Sequence, residues 1–158
     1  MLGTMVNLPF EEQQFDLIWS ENAIHIIGFE EGLRAWRHCL KPGGLLVVSD
    51  YTWLTDTPPD AAKMFWSEVS PLMSDVSNHL RIIAESGFRE VAHFRLGREA
   101  WWDQYLLPLK ERIEALRMEH GGDPELLATL EEFTEIELFL QHGDSYGCVF
   151  YLMRLDTP

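Results

Sequence analysis

Apolar and polar positions along the chain fall into blocks whose period switches between strand and helix. Phe15-Asp16-Leu17-Ile18-Trp19 is a short apolar run between Glu11-Glu12-Gln13-Gln14 and Ser20-Glu21-Asn22, the pattern of a strand buried on both faces. From Phe29 to Leu40 the apolar residues Leu33, Trp36 and Leu40 recur at helical spacing, with Glu30 and Glu31 near the start and Arg37, His38 and Lys41 near the end, as the helix dipole favours. Lys41-Pro42-Gly43-Gly44 stops that helix, and Leu45-Leu46-Val47-Val48-Ser49-Asp50 follows as a second buried strand. A strand, a helix and a strand joined in this way make a parallel pair, so the pattern predicts an α/β fold.

Further along, Thr57-Pro58-Pro59-Asp60 opens a short helix through Met64, Phe65, Trp66 and Val69, which Pro71 ends. Leu80, Ile83 and Ala84 predict a helix over Ser77 to Ser86, with Gly87 as its left-handed cap before a strand from Phe88 to Leu96. Arg98 to His120 reads as one long helix with Trp101, Tyr105, Leu109, Ile113 and Leu116 on a stripe and a kink at Pro108; Gly121-Gly122 breaks it. Asp123 caps a last helix, with Pro124 at its first position, running to about Gln141, and Tyr146 to Leu155 is a final strand. There is no internal repeat.

Composition narrows the class. The chain has 158 residues, 46% hydrophobic, with 26 Asp+Glu against 12 Lys+Arg and a net charge of −14. That excess argues against a nucleic-acid partner. Half of it lies between Asp123 and Asp144, where seven acidic residues occur with no Lys or Arg, the pattern of a solvated helix face. One domain is expected at this length, spanning 1–158. Two cysteines, Cys39 and Cys148, do not make a disulfide framework or a metal site. The start carries no basic-then-apolar leader and no apolar run approaches the length of a membrane span, so a soluble protein of the reducing cytoplasm, without membrane or metal, is expected.

Chemical motifs are sparse. There is no Gly-x-Gly-x-x-Gly, no P-loop, no nucleophile elbow and no zinc helix. Open α/β sheets bind ligands at the carboxyl ends of their parallel strands. That edge receives Trp19, Ser20, Glu21, Asn22, His25 and Asp50, the strongest grouping that spacing supplies.

Asn7-Leu8-Pro9-Phe10, then Phe15 through Ile24 (FDLIWSENAI), then Leu40-Lys41-Pro42-Gly43-Gly44 and the strand to Asp50 resemble class I S-adenosylmethionine-dependent methyltransferases, closest to the small-molecule, methyltransferase type 11 branch. Trp53, Pro58-Pro59, Phe65-Trp66, Ser86-Gly87-Phe88, Trp101 and Tyr105 look like a bacterial subgroup of it. The resemblance implies a Rossmann-like sheet of strands 4-5-7-6 of the family order with an added helical cap, 54–75 and 98–142 being that cap or insertions, and S-adenosylmethionine as cofactor. It implies that Thr4 and Met5 meet the adenine, although the family's acidic residue is absent there, and that Trp19 and Ser20 lie under the methionine half. Glu21 and His25 are then the base candidates, and Asn22, Asp50, Trp53 and Trp101 face a small-molecule methyl acceptor.

The departure from the family is as informative. Its opening strand, Gly-rich turn and ribose-binding acidic residue are missing, on the order of 90 residues at roughly 30 per β-α-β unit. This chain is therefore expected to match only the carboxyl-terminal part and to be inactive alone, binding the cofactor weakly or not at all. The Phe15 to Trp19 strand, internal in the family, becomes an apolar edge that invites a homodimer or a partner chain. The alternative is a non-catalytic module that binds a ligand or partner through Trp53, Trp66, Trp101 and Trp102.

Overall fold

The computed structural model describes residues 3–120 and 135–157. It is a mixed α/β structure: β1 (Phe15–Ser20), a 3-10 turn (Ile24–Ile26), α1 (Phe29–Arg37), β2 (Leu40–Trp53), α2 (Asp60–Val69), β3 (Ser74–Asp75), α3 (Val76–Glu85) and β4 (Phe88–Arg95). Then come α4 (Arg98–Trp101), a π-helical turn (Trp102–Leu106), α5 (Leu107–His120), α6 (Glu135–His142) and β5 (Tyr146–Leu155). The sheet order is β1-β2-β5-β4, with the two-residue β3 alongside the end of β2. β1 runs parallel to β2, and β5 lies antiparallel between β2 and β4. This is the 4-5-7-6 arrangement of a Rossmann-like methyltransferase sheet.

Local chemistry sets the helix ends. Gly28, at φ +88°, turns the chain into α1, which carries Glu30 and Glu31 in its first turn and Arg34 and Arg37 in its last. The helix ends at Arg37, short of the expected Leu40, because Leu40 already pairs with Phe15 as the first residue of β2. Asp75 caps α3 by accepting from the Asn78 N–H at 2.8 Å, and Gly87, at φ +77°, ends it in the left-handed conformation the sequence predicts. The expected single helix from Arg98 to His120 is interrupted by the π-helical turn immediately before Pro108, whose missing N–H cannot continue an α-helical ladder. Of the expected helix from Asp123 to Gln141, only Glu135 onward is described; the Gly121-Gly122 break and the Asp123 cap lie outside the described residues.

The faces of the sheet are covered differently. One face bears Leu46, Val48, Val149, Tyr151 and Met153, and the apolar sides of α1 and α3 (Leu33, Trp36, Ile82, Ile83) close over it. On the other, α2, α4, α5 and α6 pack on Tyr146 with Trp66, Leu106, Ile113 and Phe139, beside Tyr51 and Trp53. That cap covers only the carboxyl-terminal end of β2. Toward the other end, Leu17 is 48%, Trp19 59% and Phe94 51% exposed. β1 is thus not buried on both faces, as its composition suggested: it is an edge strand with one face largely open. Cys39 and Cys148 are buried free thiols, and no described helix is long and apolar enough to cross a membrane.

Candidate functional site

β1 and β2 end side by side, and the chain leaving β1 is fastened to its neighbours through Asn22. This residue has φ +46°, a left-handed conformation that asparagine adopts more readily than most residues. Its backbone N–H donates to Ser49 Oγ at 2.8 Å; the Ser49 hydroxyl donates back to Asn22 Oδ1 at 3.2 Å, and the Cys148 thiol donates to the same oxygen at 3.1 Å. One side chain thereby ties together the ends of β1, β2 and β5. Burial pushes the Cys148 thiol up to about 11, so at neutral pH it is a donor rather than a nucleophile.

Beyond Asn22 the 3-10 turn lays the His25 ring against Tyr51, with centroids 4.9 Å apart. Burial lowers the His25 pKa, and its Nδ1 is enclosed without a hydrogen-bond partner among the described residues. Tyr51 is stacked on Trp101 of α4 at 5.8 Å, and its hydroxyl is pushed up to about 12, first by burial and then by the charge of Glu135. Between these groups lies a pocket of about 270 Å³, lined by Asn22, Tyr51, Leu96, Ala100, Trp101, Gln104, Tyr105 and Cys148. Its volume is near the lower end of small-molecule sites, about 300–1,000 Å³. The Tyr105 hydroxyl donates to Glu135 Oε2 at 3.2 Å. Among the described residues no group of three His, Cys, Asp or Glu is placed to hold a metal ion.

The residues singled out from sequence are distributed unevenly around this pocket. Asn22 and Trp101 form its wall, and His25 stands behind Tyr51. Trp19 and Glu21 pair just outside, the indole N–H donating to Glu21 Oε2 at 3.2 Å. Ser20 has the parity of Ile18 and pairs in register with Val48, so it belongs to the helix-covered face. Trp53 makes an edge contact with Tyr146, 6.4 Å between centroids, within the cap core.

Thr4 and Met5 stand apart. Thr4 bridges to Asn7 in a tight turn, and the Met5 carbonyl accepts the Trp36 indole N–H at 2.7 Å, at the end of α1 remote from His25. Asp50 also points away: it is 3% exposed on the helix-covered face, 3.7 Å from His79 Nε2. Loss of solvent raises its carboxyl to about 7 and holds His79 down to about 4. His79 Nδ1 lies 2.9 Å from the Tyr151 hydroxyl, which is 3.1 Å from Thr52 Oγ1, completing a buried polar chain.

Several wall residues were missed. Tyr51, Ser49 and Val47 share one parity along β2, opposite to Asp50, Val48 and Leu46; that alternation was available in the sequence and would have exchanged Tyr51 for Asp50. Nothing local announces Cys148, Leu96 or Gln104.

A methyltransferase-domain family model matches residues 1–48. Phosphoethanolamine N-methyltransferase 3 of Arabidopsis thaliana is 27% identical over 111 residues, covering 70% of this chain and 22% of the relative, so the chain spans about a fifth of that relative's length. The solved structure of Haemonchus contortus phosphoethanolamine N-methyltransferase 2 with S-adenosyl-L-methionine superposes with a TM-score of 0.73 at 18% identity, covering 98% of this chain and 36% of that one. The [4+2]-cyclase SpnF superposes at 0.70 with 14% identity, covering 98% and 54%. At these identities the structures establish the fold, and the cyclase shows that the fold alone does not fix the reaction. Together, the matched segment at residues 1–48, the relatives and the shared fold support a class I S-adenosylmethionine-dependent methyltransferase, a family whose cofactor is S-adenosylmethionine.

Proposed function

We propose that this chain supplies the acceptor side of an S-adenosylmethionine-dependent methyl transfer to a small molecule. The observation that carries the reading is the pocket at the carboxyl ends of β1 and β2, with Asn22 and Trp101 on its wall. A sulfonium methyl is transferred in line, so positioning supplies most of the acceleration, and a base is needed only for a protonated nucleophile. His25, kept neutral by burial and with Nδ1 enclosed, and Glu21, held by the Trp19 indole, are the base candidates.

The described residues fit the cofactor only in part. No Gly-rich turn occurs in the sequence, and Thr4 and Met5 are at the wrong end of α1 to join Trp19 and Asn22 in holding one molecule. The chain by itself therefore binds S-adenosylmethionine weakly or not at all, and transfer depends on a cofactor-binding segment supplied from elsewhere. Titration calorimetry with S-adenosylmethionine tests this: no heat of binding is expected in the micromolar range, and micromolar affinity would overturn the fragment reading.

The same reading extends to partners. Among the described residues β1 is an unpaired edge next to the open face of Leu17, Trp19 and Phe94, and an apolar edge of this kind pairs with another strand. A second copy of the chain, or another polypeptide, completes the sheet there. A monodisperse monomer at high concentration in light scattering would sink that assignment. The buried free thiols suit a reducing cytoplasm.

A further inference from the structure

We propose that the pocket selects an acceptor bearing a cationic amine, an ammonium or alkylammonium group with no phosphate attached, held against Tyr51, Trp101 and Tyr105 with Glu135 supplying the balancing charge. The inference rests on the acceptor-side reading above and narrows its substrate class.

Three of the eight wall residues are aromatic, and aromatic faces attract cations within about 6 Å of the ring centroid, most strongly where water is excluded. Trp101 and Tyr51 are locked by their mutual stacking and by Trp66, 4.6 Å from Tyr51 and 6.2 Å from Trp101, so the wall is rigid before any ligand arrives. The charge around it is negative. The Tyr105 hydroxyl is bound to the half-buried Glu135 carboxylate, whose charge adds to burial in raising the pKa values of Tyr51, Tyr105 and Tyr146, and Glu21 adds to burial at Cys148 in the same sense.

Among the described residues no lysine or arginine lines the wall. The guanidinium groups on the flanking strand and helix are committed elsewhere. Arg98 donates to Asp144 Oδ1 at 3.0 Å and to the Phe139 carbonyl at 3.0 Å, and Arg95 donates to the Gly143 carbonyl at 2.9 Å. The sequence from Asp123 to Asp144 contains no Lys or Arg. A phosphate or carboxylate group calls for forked or point-charge cationic partners, and the pocket offers none among the described residues.

The test needs no cofactor. The whole chain is titrated with choline, with its neutral isostere 3,3-dimethylbutan-1-ol and with phosphocholine, following the Trp101 indole resonance by NMR. Choline is expected to bind at least tenfold more tightly than either comparator. Glu135→Gln should weaken choline severalfold and leave the neutral isostere unchanged, and Trp101→Leu should abolish the preference, with circular dichroism confirming that each variant is folded. Equal affinity for choline and the isostere, a preference for phosphocholine, or no saturable shift with folded protein overturns the amine class. Each of those outcomes leaves the S-adenosylmethionine titration, and the fragment reading it tests, standing or falling on its own result.

Discussion

The two faces of the sheet are drawn from the same strands, residue by residue in alternation, yet they have been put to different uses. Under α1 and α3 the face is closed, and even its polar members are buried: Thr52, Tyr151 and His79 form a hydrogen-bonded chain, with the Asp50 carboxyl 3.7 Å from His79 Nε2. On the opposite face the same strands meet aromatic helices at one end, leave a pocket beside them, and lie bare at the other end. Closed packing accounts for stability; the incompletely covered face is where Asn22 can hold a strained backbone and where the aromatic wall meets solvent.

Adjacent leucines give the largest contrast. Leu46 is fully buried under the helices and Leu45, its neighbour on the other parity, is half-exposed. Leu46→Ala is expected to cost roughly 2–5 kcal/mol in urea unfolding, whereas Leu45→Ala should cost about 1 kcal/mol or less; equal losses would erase the distinction between the faces. Next in size is a pH effect confined to the closed face. Asp50 titrates at about 7 when folded and at the ordinary carboxylate value when unfolded, so its share of stability is complete in acid and is lost as pH rises through 7. His79, held at about 4, works in the opposite sense: its share is present above the ordinary imidazole value of 6.5 and is lost as pH falls toward 4. Asp50→Asn should therefore remove the fall in denaturation midpoint that Asp50 causes between about pH 4 and 7, leaving the His79-linked loss toward pH 4 in place; a profile unchanged over that interval would remove Asp50 from the account.

Smaller effects come from the surface. Asp75→Ala removes the α3 cap and should lower stability by about 1 kcal/mol by thermal melting. Trp19→Lys, on the bare face, should alter unfolding free energy by no more than about 0.5 kcal/mol while reducing self-association in light scattering. A large loss of stability from Trp19→Lys would mean that this face is not open.

Strand and helix identities were legible because their signals are local. The FDLIW run, the Gly87 cap and the whole of β5 from Tyr146 to Leu155 could be read from period and punctuation alone. Facing was less legible at strand ends, where Asp50 and Tyr51 are one residue apart and only strict alternation separates core from pocket. The partners of Asn22 come from residues 27 and 126 positions away, and no window of sequence holds such a contact. Charge was legible in amount and not in use. Of the acidic stretch, Glu137 is solvated as expected, but Glu135 binds Tyr105 and Asp144 holds Arg98.

The placement of β5 sets the order in which this protein can assemble. β2 and β4 flank a slot that stays empty until the last of the five strands enters it, and the Thr52–Tyr151 contact across that slot joins residues 99 positions apart. During synthesis, β1, α1 and β2 emerge as a local unit, but the sheet between β2 and β4 closes only once residues 146–155 have left the ribosome. Folding of this chain is thus a late, long-range event, with both flanking strands waiting, unpaired on their inner sides, for the one that joins them.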